Sequence, residues 1–215
     1  MKGIAFKVTY NDGGAGGSLF GFNGVCSDEN IMVNVRQRRM TNCSDRDGPC
    51  RKFSDANFTG KRPADPPCYE STMFSVDRLS FGFGMYHHGP KAGQRIPVNG
   101  VQAGDIAFLT TLLPGKEQHE RVVFGCFRIA GEPKLDKWDG FTVESDGTMD
   151  VRLPDDVAVQ MNFWRYFQNK DGSRKWATAG RTTRTTRSPC ARPAMCGCIV
   201  GHQLSRGGSN GQSLP

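Results

Sequence analysis

Apolar and polar residues alternate along most of this chain in short runs separated by glycine, proline and asparagine. Residues 4–10 read Ile-Ala-Phe-Lys-Val-Thr-Tyr, a near-alternating run of strand formers. Asn11-Asp12-Gly13-Gly14 follows as a turn, and residues 18–25 read as its returning partner strand. Residues 31–35 form a third candidate. Residues 79–86 alternate Leu, Phe, Phe and Met with small residues, so Gly82 and Gly84 suit a bulge or a close backbone approach. The strongest strand patterns are 106–112 and 121–130; 141–144 and 149–153 are shorter. One helix is expected over 155–168, opening at Pro154-Asp155-Asp156. Residues 41–69 show no apolar period and read as loop. Many short strands with little helix predict a mainly β fold, a barrel or a sandwich.

Composition sets the limits of that picture. The 215 residues suit one domain or one domain with an appendage, and 37% hydrophobic residues suffice for a core. No run approaches the roughly 20 apolar residues of a membrane span. The opening Met1-Lys2-Gly3-Ile4 is too polar and its apolar stretch too short for a signal peptide, which places the expected protein in the cytoplasm. Charge is unevenly distributed. Residues 170–215 carry Arg174, Lys175, Arg181, Arg184, Arg187 and other cations against Asp171 alone, and they account for the whole net charge of +7. Aromatic residues stop at Trp176, and the text turns to Arg-Thr repeats and Gly/Ser-rich stretches. The expected domain therefore spans 1–178, with 179–215 a disordered basic tail. The abrupt change of style reads like a coding sequence out of frame or a non-native tail; a functional basic arm for nucleic acid is the other reading.

In a reducing compartment, eight cysteines favour metal ligation or free thiols over disulfides. Cys43 and Cys50 flank a polar, turn-rich stretch, and Cys68 follows the rigid Pro66-Pro67. Thiols buried as small hydrophobes usually lie in apolar strands, and these do not. Cys26, Cys43, Cys50 and Cys68 are therefore a candidate metal site carried on a loop insertion at 41–70, with structural zinc preferred and an iron–sulfur cluster as the alternative. The set lacks a close-spaced knuckle pair, and free, partly buried thiols are the plain alternative. Cys190, Cys196, Cys198 and His202 are also ligand types, but they fall in the tail.

Gly104-Asp105-Ile106-Ala107-Phe108, then Glu120-Arg121-Val122-Val123-Phe124-Gly125-Cys126-Phe127, resembles the central strand pair of PUA-like barrels, above all the EVE-type branch. Phe163-Trp164-Arg165-Tyr166-Phe167, with Asp171-Gly172-Ser173 and Trp176, is similar to the closing segment of uncharacterised bacterial relatives of that class. The resemblance covers residues 100–178. The cysteine-bearing segment is outside the ordinary pattern, which makes the first half an insertion or marks a divergent subfamily. The Arg/Thr tail also departs from it. The resemblance implies a PUA-like mixed β-barrel with one or two short helices. It also implies binding of RNA or of a modified base flipped out of DNA, with DNA the preferred partner, as the sensor part of a bacterial defence or restriction system.

A flipped base needs ring faces, polar groups for its edge and donors for phosphate. Tyr86, His87, His88, Arg121 and Trp164 are the candidates for that work, although most aromatic residues of a small barrel are core. Tyr86-His87-His88-Gly89 ends a strand at a loop, where binding residues concentrate. The glycine-rich turn at 11–17 lacks the Lys-Ser/Thr ending of a phosphate loop and reads as a flexible hairpin. Asp155-Asp156 reads as a helix cap. No complete catalytic motif is present, and the deaminase signature in particular is missing. Three functional classes remain: a nucleic-acid reader without catalysis, an enzyme with thiolate-bound zinc, and a structural or interaction domain.

Overall fold

The computed structural model describes residues 1–14, 18–39, 42–64, 68–74, 77–86, 89–135 and 140–167. The expectations placed on His87, His88, Pro66-Pro67, Trp176 and the tail 179–215 lie outside these residues.

Among the described residues six strands make one sheet: β1 (Gly3–Lys7), β2 (Ser80–Phe83), β3 (Ile106–Thr111), β4 (Val122–Ile129), β5 (Lys134–Leu135) and β6 (Phe141–Arg152). The order is β1-β3-β4-β6-β2, with β5 beside β6. β1 runs parallel to β3, and the other pairs are antiparallel. Every residue of β3 is buried, and in β4 only Arg128 is exposed. Such near-continuous apolar runs mark strands covered on both faces. The sheet curls into a half barrel with few short helices. Its curl brings the two ends of the strand path together, since the Phe6 ring of β1 stacks on Phe81 of β2 at 4.7 Å.

The expected hairpin between 4–10 and 18–25 does not form; β1 pairs with β3 instead. Residues 18–25 cross the sheet as irregular chain, with Phe22 at a φ of 40°. Their alternation serves packing. Phe20 and Phe22 both lie against Phe124, and the Phe22 ring is stacked at 4.3 Å. Burying two such rings contributes roughly 1.5–3 kcal/mol each, enough to offset one strained backbone position.

Residues 31–35 are helical. α1 (Asp28–Met32) passes directly into a π-helical turn, Val33–Gln37. Ser27 caps the helix by accepting from Asn30 N at 3.1 Å, and Asp28 and Glu29 fill the first turn. The alternation arises because the helix is buried on two sides. Ile31 and Val35 form one apolar face, while Asn30 and Asn34 both donate to the Tyr10 carbonyl, at 3.0 and 2.9 Å.

The segment expected as loop contains α2 (Pro49–Asp55), with proline in its first turn. The long helix expected over 155–168 shrinks to α3 (Asp155–Ala158) and a 3-10 turn, Phe163–Arg165. The chain between them bonds to the start of β4 through Val123 N to Met161 O (2.9 Å) and Phe163 N to Arg121 O (2.8 Å). The two short strands expected at 141–144 and 149–153 are one strand, β6. Its interruption is a bulge in which Ser145 faces Ile129 and Asp150 faces Phe127, with Gly147 at a φ of 77°.

Candidate functional site

A pocket of about 430 Å3 opens where the end of β1, the π-helical turn and the loop between β3 and β4 meet. Lys7, Arg38, Lys116 and Arg121 line it, with Tyr10 and Asn34. Each cation is placed by backbone structure. β1 and β3 continue past the strand ends through Val8 N to Thr110 O (2.8 Å) and Thr111 Oγ1 to Val8 O (3.1 Å), which carries Lys7 to the rim. Arg38 closes the π-helical turn and donates to the carbonyls of Leu112 (2.6 Å) and Leu113. Arg121 lies between the 3-10 turn Gln118–Glu120 and β4 and is 1% exposed. Its Nη1 donates to Thr110 O at 3.2 Å, and its Nη2 to Gln118 Oε1 at 3.4 Å.

The charges of Lys7, Arg38 and Arg121 oppose one another. Burial, with the Arg38 charge nearby, lowers the Arg121 pKa to about 10. Surrounding protein, then Arg121 and Arg38, hold Lys7 below the ordinary lysine range. Burial also lowers Arg38. Among the described lining residues the one acid is Glu117, which is exposed and lies 3.3 Å from His119 Nδ1. Lys116 pairs with Glu120 at 2.8 Å on the same loop. Asn34 adds a different chemistry. Its Nδ2 is committed to Tyr10 O, which fixes the amide orientation, and its buried Oδ1 has no hydrogen-bond partner among the described residues. The pocket thus offers concentrated positive charge beside one buried acceptor.

The site residues expected from sequence fall in different places. Arg121 is a wall of the pocket. Trp164 is 2% exposed and donates its indole N–H to the Gln118 carbonyl, so it supports the Arg121 loop from within the core and presents no open ring face. Tyr86 is half-buried on a separate turn, closed by Tyr86 N to Gln94 O (2.9 Å) and Gly93 N to Tyr86 O (2.7 Å), with Lys91 Nζ 5.8 Å from its ring. It is not among the residues lining the pocket. Sequence reading missed Lys7, Arg38 and Asn34. The available signal was Asn30 and Asn34 at a spacing of four, which on a helix marks a polar stripe.

The thiols gather on the other side of the α1 helix. Cys26, 9% exposed, packs with Ile31, Val35 and Phe53, and Cys43 and Cys50 pack against that group. Cys68 precedes the 3-10 turn Tyr69–Ser71. Gly24 N to Ser71 O (2.7 Å) joins the Cys68 turn to the chain entering Cys26. All four are free thiols with pKa values raised first by burial, that of Cys26 to about 12. Glu70 sits among them. Its carboxyl bonds to the Cys68 thiol and to Thr9, and burial raises its pKa. Among the described residues no three His, Cys, Asp or Glu side chains stand as placed in an arrangement that holds a metal ion.

Two other expectations resolve differently. The 11–14 turn is pinned from both sides: Asn11 Nδ2 donates to Gly24 O at 3.1 Å, and Asp12 Oδ1 accepts from Ser27 N at 2.8 Å. It is a fixed bracket for the α1 cap. Asp155 caps no helix with its side chain; the carboxylate accepts from Leu19 N at 2.6 Å. Among the described residues no helix is long and apolar enough to cross a membrane. No protein-family model matches the chain, and no curated protein or solved structure matches it.

Proposed function

We propose that this domain binds nucleic acid and takes one nucleotide into the pocket between β1, the π-helical turn and the β3–β4 loop. The observation that carries the reading is the convergence of Lys7, Arg38 and Arg121 on one concavity, where their charges oppose one another. An anion entering there relieves that repulsion in a site partly shielded from water. Phosphate is the anionic group such Arg and Lys donors recognise in nucleic acid. The volume lies in the range of small-ligand pockets, roughly 300–1,000 Å3, and fits one nucleotide taken out of a stack better than a duplex groove. A PUA-like, EVE-type barrel reading a modified base in DNA, as the sensor of a bacterial defence or restriction system, is the specific form the sequence resemblance suggests.

The test compares the full chain with the double variant Lys7→Glu, Lys116→Glu. Lys116 and Lys7 are exposed, so the fold tolerates the change. Fluorescence anisotropy with short single-stranded oligonucleotides should show affinity falling tenfold or more and a salt dependence reduced by roughly one to two ion equivalents. Both proteins carry the same basic tail, so the difference isolates the pocket. Equal affinity and equal salt dependence would assign binding to the tail. No binding by either protein would favour a structural or interaction domain.

A further inference from the structure

The strongest feature outside that pocket is the gathering of Cys26, Cys43, Cys50 and Cys68. They come from four separate stretches of chain: the lead into α1, the turn before α2, the first turn of α2, and the turn before the 3-10 helix at 69–71. These stretches are held against one another. Cys26, Cys43 and Cys50 share one apolar cluster, and the Gly24–Ser71 bond brings in Cys68. Arg62 ties the far end of the segment back, donating to the Cys26 carbonyl at 2.7 Å and to Asp28.

That cluster is a poor core. Its fully buried members are Cys26, Ile31, Val35 and Phe53, set apart from the main core under the sheet. So few side chains bury too little apolar surface to order so long a segment, and small modules in this position usually carry a metal or disulfides. Cys43 lies near Glu70, Cys50 and Cys26, and Cys68 near Glu70, Cys43 and Cys26. A divalent cation answers that deficit, because it staples four stretches of chain.

We infer that Cys26, Cys43, Cys50 and Cys68 bind one zinc ion that fastens the parts of the segment between β1 and β2 to one another. Binding forms four Zn–S bonds and releases the four S–H protons to solvent, with no change of oxidation state. Four-thiolate coordination leaves no open position, so the ion has a structural role. The site is independent of the nucleotide pocket, although the α1 helix and its π-helical extension border both: Asn34 lines the pocket and Val35 packs with Cys26. Zinc therefore steadies one wall of the pocket.

The experiment uses the full chain purified without chelator. Metal content and native mass spectrometry are read on the unaltered protein and on two variants, Cys43→Ser/Cys50→Ser and Cys196→Ser/Cys198→Ser. About one zinc per chain is expected in the unaltered protein and in the tail variant, and none in the first variant. Because that variant could fail to fold, thiol alkylation of the unaltered protein is the second reading. Peptides containing Cys26, Cys43, Cys50 and Cys68 should resist alkylation until a strong chelator is added, and cobalt(II) taken up in place of zinc should show thiolate-to-metal charge transfer. Zinc lost from the tail variant instead, iron with inorganic sulfide, disulfides among the four cysteines, or metal-free thiols alkylated at once would each overturn the assignment.

Discussion

At the residue scale the telling positions are polar groups held where water is scarce. Arg121 is nearly inaccessible and donates to the Thr110 carbonyl and hydroxyl and to the Gln118 amide oxygen. Burying a guanidinium is costly unless it is hydrogen-bonded. Its neighbour Tyr10 gives a stability test. Burial first, then the charges of Asp12, Asp155 and Cys26, raise the Tyr10 pKa from 10.0 to about 12. Below pH 10.0 the phenol is protonated in both folded and unfolded chains. Between 10.0 and about 12 the unfolded chain loses the proton first, so stability falls as pH rises through that window. Denaturation of Tyr10→Phe should show a shallower decline over this window than the unaltered protein. At neutral pH the variant should be less stable by about 1 kcal/mol, from the lost bond to Leu19 O. Parallel curves for the two proteins would mean that Tyr10 is not held neutral. Arg121 itself was readable as a candidate from its place before an apolar strand. Trp164 was not readable as core, because a ring gives the same letter whether it stacks on a base or fills the interior.

At the element scale, sequence alternation located every long strand but misassigned the segments that alternate for other reasons. β3 and β4 lie where the runs at 106–112 and 121–130 placed them, and β6 joins the two short strands expected at 141–144 and 149–153. Residues 18–25 and 31–35 alternate as well, the first because Phe20 and Phe22 reach one ring, the second because a helix is sandwiched between an apolar cluster and the Tyr10 carbonyl. The Ser27 cap and the acidic first turn were the contrary signals. The pattern at 79–86 suits a bulge or a close backbone approach at Gly82, but what comes close is a side chain: a Cβ there would lie 2.0 Å from the Tyr69 ring. Tyr69 follows Cys68, so this contact also seats the thiol turn on β2. Gly82→Ala should lower stability by roughly 1–3 kcal/mol, because the ring must move. The double variant Gly82→Ala, Tyr69→Ala should lose less than the sum of the single changes. An unchanged melting temperature for Gly82→Ala would show that the ring does not rest there.

At the scale of the whole molecule, the mainly β class was legible because short alternating runs separated by turn residues leave few other architectures. The strand order was not. β1 pairs with β3 across an intervening stretch that includes both helices and β2, and no local pattern encodes a partner so distant. The pocket was illegible for the same reason, since Lys7, Arg38 and Arg121 are remote in sequence and meet only through that parallel pairing. The cysteine cluster was half legible: loop chemistry marked the thiols, while their gathering behind α1 depends on helices the loop pattern concealed. Entry of nucleic acid into the cationic pocket is tested by two-dimensional NMR of the full chain titrated with a short single-stranded oligonucleotide, following backbone amides and arginine side chains. Saturable shifts are expected, centred on Lys7, Thr9, Asn34, Arg38 and Arg121. Shifts confined to residues 170–215, with those five resonances unmoved at saturation, would contradict it.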